Sequence, residues 1–153
     1  MLPSTATRVS EHTPDHINQR IQEKTKSNIK KYSENGADNI NRRIEELGHE
    51  WDIERVLEAN ASTIILIGLG LGAFLNSWFY IVPALVAGFL LQHALQGWCP
   101  PVTFFRRRGI RTMQEIHGEK YALKLLRGDF EPLCGRKGYN LADPEKAFQI
   151  VIE

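Results

Sequence analysis

Residues 59–105 read ANASTIILIGLGLGAFLNSWFYIVPALVAGFLLQHALQGWCPPVTFF, a run with no Asp, Glu, Lys or Arg. Glu58 and Arg106 bound it, so all 19 Lys/Arg and 18 Asp/Glu of the 153-residue chain lie outside. A helix through the whole run would be about 70 Å long, against a bilayer hydrocarbon core of about 30 Å. One crossing is too few and three are too many. Two fit, with a turn at Asn76-Ser77, the only adjacent polar pair in its centre. The expected fold class is therefore an all-α membrane protein: a two-helix transmembrane hairpin with flanking cytoplasmic amphipathic helices. Its spans run over about 53–75 and 78–98. Trp78 and Tyr80 mark one interface and Trp98 the other. Pro83 falls in the first turns of the second span, where its missing N–H costs least. The rest of the chain is too polar to cover two wholly apolar helices in water.

Orientation follows from the flanks. Arg106, Arg107, Arg108 and Arg111 follow the second span, Arg42, Arg43 and Arg55 precede the first, and the turn has no basic residue. Basic flanks stay on the cytoplasmic side, which places both termini there and only the turn outside. The four arginines after the second span are expected to meet lipid headgroups. Residues 1–58 are polar, with no early apolar stretch, so the apolar run reads as an internal anchor rather than a cleaved leader. A net charge of +1 gives no field for nucleic acid.

Outside the run, residues 1–14 read as disordered and 15–51 as cytoplasmic amphipathic helices. Ile17, Ile21, Ile29 and Tyr32 form one narrow stripe over Asp15–Ser33, which Asn35-Gly36 ends. A second helix follows Asp38, with Ile40, Ile44, Leu47 and Trp51 at helical spacing. Asp52 is placed to cap the first span of the hairpin (52–99), with Trp51 and Val56 as a hydrophobic staple. Residues 100–128 form a basic juxtamembrane segment and an amphipathic helix. Pro100-Pro101 reads as a helix stop. Thr112-Met113-Gln114-Glu115 is a capping box that opens a helix to about Arg127, with Met113, Ile116, Leu123 and Leu126 as its apolar face and Gly128 as its stop. That helix either lies in the interface or packs on the N-terminal helices. The tail, 129–153, holds loop signals and a short apolar end, Phe148 to Ile152, readable as a strand or a docking segment.

Gly68, Gly70 and Ala73 fit the dinucleotide pattern G-x-G-x-x-A, but the acidic residue needed about 20 positions on is missing: no carboxylate occurs before Glu115. Close helix packing explains the glycines better. Gly68-x-x-x-Gly72 and Ala84-x-x-x-Gly88 are small-residue faces, which either meet inside the hairpin or serve a homodimer. Gln92, His93 and Gln96 are polar residues within the second span, and such residues face protein rather than lipid. Pairing about the 76/77 turn sets Asn60 level with His93, so a hydrogen bond between them is expected. Haem ligation by His93 would need a second histidine at that depth. Cys99, beside an arginine cluster, is a candidate reactive thiol. Cys99 and Cys134 have no zinc or CxxC spacing and read as free thiols. No catalytic set, metal site or cofactor is expected.

Gly97-Trp98-Cys99-Pro100, followed by Gly109-Ile110-Arg111-Thr112, resembles the YgaP-like transmembrane domain family, bacterial two-helix hairpins of uncharacterised function. In that family a Gly-aromatic-Cys-Pro element ends the second helix and a Gly-hydrophobic-x-Thr element follows. Residues 92–101 and 119–130 are similar to one subgroup, so the resemblance covers about residues 50–130. It implies a bacterial inner membrane and hints at sulfur chemistry, because one member fuses the hairpin to a rhodanese. This chain contains no rhodanese active-site loop.

Three roles are consistent with this sequence. The first is a non-enzymatic membrane anchor or interaction protein, with the bilayer and either a second copy or another membrane or cytoplasmic protein as partners. The second is a thiol-dependent sulfur-handling accessory using Cys99. The third is an oligomeric transport or cofactor-binding component using His93, Gln92 and Asn60.

Overall fold

The computed structural model describes residues 4, 6–34, 36–131 and the backbone of 134–135 and 138–139. The protein is all-α. Its helices are α1 (Arg8–Glu11), α2 (Asp15–Ser33), α3 (Ala37–His49), α4 (Ile53–Phe74), α5 (Ile81–Gln96), α6 (Pro100–Arg107) and α7 (Met113–Arg127), with a 3-10 turn at Ser77–Tyr80. A two-residue antiparallel pair, β1 (Cys134–Gly135) with β2 (Gly138–Tyr139), is the one extended element among the described residues. The segment Phe148 to Ile152 and the side chain of Cys134 lie outside them. The chain divides into two compact units, one of residues 1–24 and 51–116, the other of residues 25–50 and 117–153.

In the first unit, α4 begins where Asp52 Oδ1 accepts the Arg55 N–H at 3.0 Å, the cap expected from the sequence. It ends at Phe74. Asn76 then accepts the Trp78 N–H through its side chain (2.9 Å), which starts the 3-10 turn and sends the chain back along α5. α4 meets α5 at Gly68 and the 3-10 turn at Gly72. A Cβ on Gly68 would stand 2.7 Å from Pro83 Cδ, and one on Gly72 would stand 2.6 Å from the Tyr80 ring. The second small pair does not join this contact: Ala84 and Gly88 are exposed, and Gly88 has nothing within 4 Å of the place a Cβ would take. The face of α5 toward α4 is set by Pro83 and His93 instead, its two buried residues.

Gly97 closes α5 in the left-handed conformation (φ 73°), its N–H bonding the His93 carbonyl at 2.7 Å. It also admits α1, because a Cβ there would lie 2.5 Å from Arg8 Cβ. Pro100-Pro101 does not stop a helix, as the sequence suggested, but opens α6 at its first two positions. A helix start has no use for those N–H groups, so proline is tolerated there, and Gly97 had already ended α5. The residues read as a disordered N-terminus include α1, whose Val9 is buried with Ile53, Leu57, Cys99 and Val102.

Arg106 is wholly buried below this cluster, which corrects its assignment to lipid headgroups. All five of its N–H donors are used. Nη1 and Nη2 bond the Glu115 carboxylate at 2.7 and 2.8 Å, and Nη1 also bonds the Ile110 carbonyl. Nη2 bonds Asn18 Oδ1 at 2.9 Å and Nε bonds Thr13 Oγ1 at 3.2 Å. Arg111 is also buried, leaving only Arg107 and Arg108 exposed among the four. Thr112 and Glu115 form the expected capping box, each accepting the other's backbone N–H (2.8 and 3.3 Å).

The second unit holds the end of α2, α3 and the body of α7. Ile40, Ile44 and Leu47 of α3 are buried as expected, but Trp51 lies past the helix end, half exposed, with the Arg55 guanidinium 4.4 Å over its ring. In α7 the buried face runs through Ile116, Glu119, Leu123 and Lys124, whereas Met113 and Leu126 are exposed. Arg43 Nε of α3 donates to buried Glu119 Oε1 at 2.8 Å, so α7 packs on an N-terminal helix. Gly128 (φ 91°) ends α7, with Asp129 N–H returning to the Lys124 carbonyl.

Candidate functional site

His93 is nearly completely buried, 4% exposed, on the face of α5 toward α4. Its Nε2 donates to Glu54 Oε2 at 2.7 Å. The other Glu54 oxygen accepts from Arg8 Nη2 at 3.0 Å, and Arg8 Nη1 reaches the Ala94 carbonyl at 3.2 Å. Glu54 lies on the stripe Glu54, Leu57, Ala61, one position N-terminal in helical spacing to the residues α4 buries. A carboxylate at the start of α4 and a histidine near the end of α5 thereby share one proton-bearing contact, oriented by an arginine from α1.

Cys99 lies just past the end of α5. It is 2% exposed, and its backbone N-caps α6. The first two positions of that helix are prolines, so no N–H at those positions is available to the sulfur. With Nε2 held by Glu54, the remaining nitrogen of His93, Nδ1, is buried and has no hydrogen-bond partner. Arg8, Glu54 and His93 are thus arranged in series. Among the described residues, no group of three His, Cys, Asp or Glu side chains is arranged to hold a metal ion.

Two cavities lie in the same unit. One, of about 150 Å³, is lined by apolar groups of Leu57, Ala61, Ile64, Val86, Leu90 and Phe105, with Cys99 in its wall. The other, of about 210 Å³, touches Arg8, Glu54, Thr112 and Gln114. Cys99 thus borders apolar space and Glu54 borders more polar space.

The expected polar cluster of Asn60, Gln92, His93 and Gln96 is not brought together. Asn60 is exposed and donates to the Val56 carbonyl of its own helix (2.7 Å), so it is not the partner of His93. Gln92 is half-buried and Gln96 exposed. Counting residues from the turn gives height along a helix but not rotation about it, and Asn60 is turned about 100° from Ala61 on the contact stripe. Glu54 and Arg8 were not read from the sequence. Glu54 was legible as the residue three before Leu57, whereas nothing local marks Arg8.

Comparison of the chain with family models, curated proteins and solved structures finds no match.

Proposed function

We propose that this protein is an integral membrane anchor whose α4 and α5 cross the bilayer as a hairpin, holding α1, α6 and the first turns of α2 at one face. One observation carries the reading: the apolar helices are turned outward. Two helices are long and apolar enough to cross a membrane, yet only 22% and 11% of their apolar windows is buried. Leu66, Phe74, Leu75 and Trp78 are each at least 70% exposed. A core helix of a water-soluble protein would bury such a surface, and exposed apolar patches of this extent belong to a membrane or a protein partner. The 22 residues of α4 span about 33 Å, of which the charge-free part, residues 59–74, covers about 24 Å.

Exposed Arg107 and Arg108 follow α5 and support an orientation with both ends cytoplasmic and Asn76 outside, in the inner membrane of a bacterium, as the YgaP-like resemblance suggests. The role is structural rather than enzymatic. Ala84 and Gly88, facing outward on α5, leave room for a second copy or another membrane helix to approach. Alkaline extraction of native membranes followed by flotation tests this reading. The chain is expected to stay with the floating lipid; release into the alkaline supernatant would overturn it.

A further inference from the structure

We infer that the apolar cleft between α4, α5 and α6 is a binding site for one anionic phospholipid, with an acyl chain in the cleft and the headgroup phosphate on Arg108, Arg107 and Arg20. This assignment deepens the membrane reading and rests on it, because such a lipid is met in a bilayer. Two independent features meet on α6. One is the cleft itself: Pro101 and Phe105 of α6 line it with Ala61 and Ile64 of α4 and Val86 and Phe89 of α5. Ile64 and Phe89 are 45% and 39% exposed, so the cleft opens on the outer surface of the hairpin. The other is a group of guanidinium ions without counter-charges at the far end of the same helix.

Arg8, Arg43, Arg106 and Arg127 each hold a carboxylate. Arg20, Arg107 and Arg108 are exposed and, among the described residues, hold none. Arg20 Nη2 instead donates to the Arg107 carbonyl at 2.5 Å, which fixes its charge at the end of α6. Arg108 lays its guanidinium 4.3 Å over the exposed Phe104 ring. No acidic residue occurs in α6 and none lines the cleft. Like charges gathered at one helix end repel one another, and a bound phosphate relieves that repulsion. The guanidinium fork matches phosphate oxygens with paired N–H donors.

The two features are in register. Positions 101, 105 and 108 lie on one helical stripe, so Arg108 continues the line of the two α6 residues in the cleft. At 1.5 Å per residue it stands about 10 Å beyond Pro101. A phospholipid presents its parts in that order: an apolar chain, a glycerol link, then a charged phosphate. Trp98, at the end of α5, marks the depth at which headgroups begin. A soluble phosphate ester has no chain for the cleft. The ammonium of a zwitterionic headgroup would add one more positive charge beside the three arginines.

The test uses the full chain in an uncharged mild detergent, titrated with phosphatidylglycerol or with phosphatidylcholine of the same acyl chains, and read by native mass spectrometry. Wild type is expected to hold one phosphatidylglycerol about tenfold more tightly than phosphatidylcholine. Arg108→Gln and Arg20→Gln should each weaken phosphatidylglycerol about fivefold, the usual worth of one basic side chain at an anionic lipid surface. Val86→Phe, which fills part of the cleft, should weaken it with every charge in place. Arg42→Gln, the same charge change on an arginine of α3 paired with Glu46, should leave it unchanged. Excess inorganic phosphate should not displace the lipid. Each variant is checked for helicity, so a misfolded one is recognised. Equal affinity of wild type for the two lipids overturns the inference and leaves the anchor reading intact. So does an unchanged affinity in folded Arg108→Gln or Val86→Phe, an equal loss in Arg42→Gln, or displacement by inorganic phosphate. Failure of wild type to float with phosphatidylcholine vesicles overturns the membrane reading itself.

Discussion

The outward surface of α4 and α5 and the base beneath Cys99 reverse the usual distribution of side chains. Along α4 and α5, Leu66, Ile67, Phe74 and Leu91 are exposed. At the base, Arg106 is fully buried against the half-buried Glu115 carboxylate, and in the other unit Glu119 is fully buried against Arg43. A chain folding in water buries the first kind and exposes the second. On the proposed membrane reading the two regions have different solvents: where lipid replaces water, apolar side chains need no cover. Where helices must be fixed to that anchor, buried charge with every donor satisfied supplies geometry that generic apolar contact does not.

The largest effect is expected where the buried charge is broken. Arg106→Gln leaves Glu115, Asn18 and Thr13 without their partner and should cost about 3–5 kcal/mol in detergent unfolding. Arg107→Gln, one residue on but exposed, should stay within about 0.5 kcal/mol. Equal losses would mean that the buried network is not what distinguishes the base.

Leu66→Arg probes the other region. In a bilayer it should cost about 2.5–3.5 kcal/mol of insertion in a translocation assay. A surface residue in water would tolerate it within about 0.5 kcal/mol. Gly72→Val tests the contact between α4 and the 3-10 turn that leads into α5: its side chain meets the Tyr80 ring and should cost about 1–3 kcal/mol, whereas Gly88→Val, in open space, should cost nothing measurable. Thermal unfolding of the two variants side by side decides this.

The smallest effect is a pH dependence at the base. Burial pushes the Glu115 carboxyl up, but the Arg106 hydrogen bonds and those of Thr112 together outweigh it and hold it below its ordinary 4.5. A carboxyl depressed on folding contributes stability that is complete above 4.5 and lost as pH falls through the folded value. Wild type should therefore lose thermal stability below about pH 4.5, and Glu115→Gln should lack that part of the slope. Parallel curves for the two proteins would remove Glu115 from the acid response.

What could be read from the sequence was local. The charge-free run and its Asn76-Ser77 turn located α4 and α5, and Asp15–Ser33 and the Thr112–Glu115 box were legible because caps and stripes act within a few residues. Features set by rotation or by distant partners were not. An arginine after an apolar run looks like a headgroup ligand until Thr13 and Asn18, 93 and 88 residues away, are seen to enclose it. Two prolines read as a stop because the preceding Gly97 was not taken as the end of α5. His93 was recognised as a buried polar group, but its partner was misassigned because helical height was counted without helical phase.

The central claim is that Asn76 and Arg108 lie on opposite sides of a bilayer. It is tested most directly by labelling single cysteines at these two positions, in a background with Cys99→Ala and Cys134→Ser, with a membrane-impermeant maleimide on oriented native vesicles. The account predicts that right-side-out vesicles label Asn76→Cys only and inverted vesicles label Arg108→Cys only. Labelling of both positions from the same side would contradict it.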